Sequence, residues 1–179
     1  MTDKNIVLVG FMGTGKSTVG KLLAKKLKRR WVDVDHEIEE AEGRKISEIF
    51  EKEGEAHFRR LEKEMIQKVA SEYGLVIMTG GGAVVDPANR AALKKNGLVV
   101  TLSATPETIF QRVRKSRHRP LLKGDLLTEI KRLLAERESF YRESDRTFST
   151  DGKTGAQVAG IIEETLQKEE ASDSGKDRF

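Results

Sequence analysis

The feature that most constrains this chain is the run Gly10-Phe11-Met12-Gly13-Thr14-Gly15-Lys16-Ser17. It follows an apolar run, Ile6-Val7-Leu8-Val9, and precedes Val19, Leu22, Leu23 and Leu27 at helical spacing. A G-x-x-x-x-G-K-[ST] pattern between a buried strand and an amphipathic helix is a phosphate-binding loop. Its glycines let the backbone wrap an anion with N–H groups inward, and the helix start adds its positive end. Lys16 is placed to reach β- and γ-phosphate oxygens and Ser17 to ligate Mg²⁺. Met12, Gly13, Thr14, Gly15, Lys16, Ser17 and Thr18 form the expected nucleotide contact. The bland alternative is an ordinary glycine-rich turn, which does not require Gly10, Gly15, Lys16 and Ser17 all in place.

The rest of the chain continues the same alternation. Trp31-Val32-Asp33-Val34, Leu75-Val76-Ile77-Met78, Leu98-Val99-Val100-Thr101-Leu102 and Thr147-Phe148-Ser149 read as further strands. Helical stretches separate them: about 35–73, interrupted at Gly43 and Gly54, then one from Pro87 to Asn96-Gly97, one opening near Pro106, one over about 125–145, and one over 154–167. The first four strands lack period-2 alternation, as expected of a parallel sheet covered on both faces. The expectation is a doubly wound α/β domain with a five-stranded parallel sheet and its ligands beyond the strands' C-terminal ends. At 179 residues one domain is expected, over 1–167, with a polar and disordered tail at 168–179.

Composition narrows the function. Charged residues are 35% of the chain but balanced, 33 Lys+Arg against 29 Asp+Glu, which suits a small acidic ligand without implying nucleic acid. With no cysteine there is no disulfide, zinc–thiolate site or thiol nucleophile. No run approaches the roughly 18 apolar residues of a membrane span, and MTDKN does not open a signal peptide, so a cytoplasmic protein without membrane contact is expected. A Ras-type GTPase needs an Asn-Lys-x-Asp loop, which is absent, and a motor ATPase would end its third strand in an acidic pair, where this chain has Thr79-Gly80-Gly81-Gly82. A small-molecule kinase remains.

Several residues fit that chemistry. Asp33 and Asp35, two apart at the expected end of the second strand, would point the same way and suit a metal or a bound hydroxyl; a solvated strand end with a helix N-cap is the alternative. Arg59 has Glu62 at i+3 to orient it, and an arginine fork matches a carboxylate. Arg137 lies on the apolar stripe of Ile130, Leu133 and Leu134, and an inward arginine needs an anion unless it snorkels or makes a structural ion pair. Gly80, Gly81 and Gly82 would let backbone approach a small polar molecule, or serve a turn needing φ > 0. Phe50 and Phe58 read as pocket walls or as core. His36 and His57 are assigned no chemistry. Arg112, Arg114, Lys115, Arg117, His118, Arg119 and Lys123 crowd one segment, without the interleaved aromatics of a nucleic-acid binder.

These motifs, together with Phe58-Arg59-Arg60-x-Glu62, Arg119-Pro120-Leu121-Leu122 and Arg137-x-x-x-Tyr141, occur in the order and spacing of the shikimate kinases, which the chain resembles over about residues 5–165. The resemblance implies transfer of the γ-phosphate of ATP to the 3-hydroxyl of shikimate, with Mg²⁺, in aromatic amino acid biosynthesis. It implies that Asp35 holds the acceptor hydroxyls and takes a proton, that Asp33 lies near Mg²⁺, and that Arg59, Arg137 and the triple glycine, Gly81 foremost, bind shikimate. It implies a mobile lid over about 112–124 whose Arg119 meets the transferring phosphate, an acceptor-binding region over about 35–62, and Arg112 near adenine. The loop Asp151-Gly152-Lys153-Thr154 departs from the family pattern, where an Arg is frequent. Lys153 would replace part of that adenine contact without the planar stacking surface. A monomeric or weakly associating enzyme is expected. A gluconate-type kinase of the same fold, or a non-catalytic ATP-binding module, are the competing readings.

Overall fold

The computed structural model of the chain describes residues 3–114 and 125–174. Strand β1 (Asn5–Val9) leads through the glycine loop into α1 (Lys16–Leu27), and β2 (Trp31–Asp33) leads directly into α2 (Val34–Glu42) and α3 (Ile46–Ala70). After β3 (Val76–Met78) come a 3₁₀ turn (Ala83–Val85), α4 (Pro87–Lys95), β4 (Gly97–Ser103), α5 (Pro106–Val113), α6 (Leu126–Arg142), β5 (Arg146–Ser149) and α7 (Gly155–Ser174). The strands form one parallel sheet in the order β2-β3-β1-β4-β5, with Ile6 beside Val76 on one side and Leu98 on the other.

The missing alternation in the strands has its cause in the layers. Val7, Val9, Val32, Ile77 and Val99 pack toward α2–α6, while Ile6, Leu8, Val76, Met78, Val100 and Leu102 pack toward α1 and α7. Both sets are buried, so the central strands read as nearly continuous apolar runs, with Asn5 and Thr101 as buried polar exceptions. Gly20 brings α1 close to the sheet, since a Cβ there would lie 2.0 Å from the Met78 sulfur.

Helix boundaries follow local chemistry. Pro87 and Pro106 occupy first turns, behind Asp86 and Thr105, whose side chains accept from Ala88 and Thr108 N–H groups. Gly43 ends α2 in the left-handed region at φ 65°, and Gly54, at φ 80° and ψ 172°, breaks α3 into two limbs. Two expectations are corrected. Val34 and Asp35 belong to the first turn of α2, not to a strand: Val34 and Ile38, four apart, are both buried on one helical face. Helix α7 runs on to Ser174, so 168–174, expected to be disordered, continue the helix.

Candidate active site

The ends of β1, β2 and β3 open onto one cleft of about 870 Å³. At its floor the phosphate loop takes backbone angles that side chains resist, with φ 139° at Gly10 and 77° at Gly13. A Cβ at Gly10 would also lie 2.2 Å from the Leu102 carbonyl oxygen, and one at Gly13 2.7 Å from Val113 Cγ1. No side chain caps α1, and its first turn carries no acidic residue, so its N–H groups are left to an anion. Lys16 is buried, its Nζ donating to the carbonyls of Gly10 at 2.8 Å and Phe11 at 2.9 Å. Met12, Gly13, Gly15, Ser17 and Thr18 join it on the cleft. Thr14 does not: it is buried, and both its hydroxyl and its N–H bond the Phe11 carbonyl, so it braces the loop from within.

Ser17 Oγ donates to Asp33 Oδ2 at 2.7 Å, which brings the two expected metal ligands together across α1 and β2. No group of three or more His, Cys, Asp or Glu side chains able to hold a metal occurs among the described residues. A hydroxyl and one carboxylate still fit Mg²⁺, which keeps most of its shell as water and phosphate oxygens.

Asp35 turns into the cleft from α2. Its Oδ1 is sealed from solvent and has no hydrogen-bond partner among the described residues, and the same holds for Glu62 Oε1. Burial pushes the Asp35 carboxyl up to about 6; the Glu62 and Asp33 charges add to this, while Lys16 and Arg59 oppose it. Burial likewise raises Glu62, against the pull of Arg59 and Arg137. The second limb of α3 brings Arg59 over the same space. Its Nη1 donates to Glu62 Oε2 at 2.7 Å and its Nη2 to Glu55 Oε1 at 3.0 Å.

Arg137 faces inward from α6, 8% exposed, as its place on an apolar stripe predicts. Its guanidinium lies 5.6 Å over the Phe11 ring, and Nη1 donates to the Gly81 carbonyl at a long 3.3 Å. Phe50 and Phe58, with ring centroids 4.9 Å apart, belong to both readings, packed with the core and lining the cleft. The triple glycine has a different cause from the expected turn. None of the three has positive φ; what they supply is room. A Cβ on Gly80 would lie 2.8 Å from Asp35 Oδ1 and 2.9 Å from Glu62 Oε1, and one on Gly82 2.6 Å from Arg59 Nη2.

The remaining expected residues are placed elsewhere. Arg112 bridges the phosphate loop to the loop after β5, donating to the carbonyls of Gly13 and Thr150 and to the Thr150 hydroxyl, outside the cleft lining. Lys153 is exposed, 3.5 Å from the Asp151 carbonyl oxygen, and also outside that lining. Arg119 and residues 115–124 of the expected lid lie outside the described residues. His57 finds partners in Glu53 and Arg60 on the outer face of α3. The sequence reading missed Lys45 and Ile46, which line the cleft at the start of α3, and the contact of the Tyr141 hydroxyl with the Gly81 carbonyl, for which the spacing of four from Arg137 was the available signal.

A phosphate loop opposed across one cleft by a carboxylate and two inward arginines defines a P-loop kinase of small molecules. Residues 12–167 match the family model described as shikimate kinase, and the chain belongs to the shikimate kinase family. A shikimate kinase of Persephonella marina is 48% identical over 159 residues, covering 89% of this chain and 96% of that protein. One of Geobacter metallireducens is 47% identical over 165 residues, covering 89% and 92%. The solved shikimate kinase from Acinetobacter baumannii in complex with shikimate superposes with a TM-score of 0.90 at 40% identity, over 93% of this chain and 94% of that one.

Proposed function

We propose that the protein transfers the γ-phosphate of ATP to the 3-hydroxyl of shikimate, giving shikimate 3-phosphate and ADP for aromatic amino acid synthesis. The observation that carries this reading is the pair of inward arginines, Arg59 and Arg137, on a cleft shared with Asp35 and the phosphate loop. Their forks suit a carboxylate, and Asp35 suits a ring hydroxyl. Gly80, Gly81 and Gly82 leave the space in which these side chains and a ring can meet.

The phosphate loop, with Lys16, holds the β- and γ-phosphates. Ser17 and Asp33 would hold Mg²⁺, which supplies charge neutralisation at the phosphates. Asp35 orients the 3-hydroxyl; as its oxygen bonds to the γ-phosphorus and the bond to ADP breaks, the hydroxyl proton passes to the Asp35 carboxylate. A carboxyl near 6 is a better acceptor than an ordinary one and is still ionised at neutral pH. Placement matters more than basicity, because phosphoryl transfer is loose. Arg119 is assigned to the transferring phosphate, and Arg112 and Lys153 to the adenine side, on the sequence resemblance. The same resemblance underlies our assignment of a monomer in the cytoplasm; among the described residues no helix is long and apolar enough to cross a membrane.

The test is coupled ADP release with a panel of small hydroxy acids. Shikimate is expected to turn over at least about 100-fold better than gluconate. A preference for gluconate, or ATP binding without turnover of any acceptor, would overturn the reading. Arg137→Ala is expected to weaken shikimate about 100-fold by titration while leaving ATP within about 2-fold; equal losses would count against the clamp. Gly82→Ala should displace the Arg59 guanidinium, the mobile end of a flexible side chain, and leave the backbone in place. We expect the KM for shikimate to rise about 10-fold, with the melting temperature within about 2 °C of wild type.

A further inference from the structure

Tyr141 is a large side chain that the chemistry above leaves unused. It lies one turn after Arg137 on α6, 8% exposed, and its hydroxyl donates to the Gly81 carbonyl at 2.7 Å. The same carbonyl receives Arg137 Nη1 at 3.3 Å, near the outer limit of a hydrogen bond. Two donors from one helix face therefore converge on one acceptor, and the hydroxyl holds the shorter bond. Burial pushes the phenol up to about 12, against the pull of Arg137, so it stays a donor at any working pH. Tyr141 is itself fixed from behind, since Thr101 Oγ1 of β4 donates to its backbone carbonyl at 3.0 Å.

A carbonyl facing a guanidinium is a competitor for any anion that the guanidinium should bind. Without the hydroxyl, the Gly81 oxygen would keep full acceptor strength, and Arg137 is the other side-chain donor already bonded to it. The guanidinium would close on the glycine turn and turn its fork from the cleft. We propose that Tyr141 is a positioning residue for the acceptor clamp: its hydroxyl takes the shorter of the two bonds to the Gly81 carbonyl, pins the Gly80–Gly82 turn, and so weakens that carbonyl's hold on Arg137, which is left to the substrate carboxylate. The proposal rests on the shikimate kinase reading and adds to it a residue that does not touch substrate.

The experiment is a double-mutant cycle of Tyr141→Phe and Arg137→Ala, read by steady-state kinetics with shikimate and ATP. Tyr141→Phe is expected to raise the KM for shikimate about 10-fold, with kcat and the KM for ATP within about 2-fold. In the Arg137→Ala background the same change should cost less than about 2-fold, because the group it positions is gone. Replacing Tyr141 by p-aminophenylalanine, which restores a donor, should return KM toward wild type. Equal losses for both substrates, full additivity with Arg137→Ala, no rescue by the amine, or loss of the fold in Tyr141→Phe would each overturn the proposal. If the wild-type protein fails to phosphorylate shikimate, the functional reading itself falls; if it succeeds and Tyr141→Phe is silent, this inference alone falls.

Discussion

Lys16→Ala should lower turnover by about 10³-fold or more while the protein still folds. The ammonium is the buried cation at the start of α1, and no backbone group can replace its charge beside a transferring phosphate. The structural loss is smaller. The Gly10 and Phe11 carbonyls lose their bonds to Nζ, on the order of 1 kcal/mol each, and the loop conformation is still set by its glycines. A second effect follows, because Lys16 is one of the charges that keep Asp35 ionised. Its removal should push the Asp35 carboxyl higher still and move the acid limb of any residual activity upward in pH. Coupled ADP release and a thermal melt check both; activity near that of wild type would remove the loop from the chemistry.

Asp35→Asn should lower kcat about 10²-fold or more and yet stabilise the protein near neutral pH. The sign follows from where the proton is held. The folded carboxyl titrates near 6 and the unfolded one near 3.8, so between those values the folded state binds more protons and stability falls as pH rises. Above about pH 6 the folded chain carries the full cost of an ionised, buried Asp35, on the order of 2–3 kcal/mol. An amide escapes that cost and is relieved of the repulsion that the Glu62 and Asp33 charges exert on Asp35. We expect the variant to melt several degrees (roughly 5 °C) higher than wild type at pH 8, and no higher at pH 4. In the wild type, kcat/KM for the acceptor should fall below about pH 6, as the base of the free enzyme protonates. A variant no more stable than wild type at pH 8 would show that Asp35 carries no such burden.

Much of this was legible because the signals were local. The strands announced themselves as short apolar runs, and the phosphate loop as a fixed spacing. The inward turn of Arg137 was legible for a sharper reason: an arginine on an apolar stripe conflicts with the helix that carries it, and the conflict is resolved where the side chain meets polar groups of the cleft. The misreadings have separate causes. Trp31-Val32-Asp33-Val34 reads as a short strand, but Val34 and Ile38 also satisfy a helical face, and four residues cannot separate the two periods. The 168–174 segment is polar, yet Lys, Glu and Ala extend a helix already nucleated by packing on α1. The triple glycine was visible, but its reason was not. The atoms that need its space belong to Asp35, Arg59 and Glu62, distant in sequence. Tyr141 likewise finds its acceptor 60 residues away.

The break in α3 separates two jobs that one rod could not perform. Phe50 sits before Gly54, and Phe58, Arg59 and Glu62 after it, so the two aromatic walls of the acceptor space stand on opposite arms of a bent lever. A Cβ at Gly54 would meet no atom within 4 Å; only the φ of 80° demands glycine there. The relative placing of those two aromatic walls is therefore set at one joint, Gly54, which itself does not line the cleft.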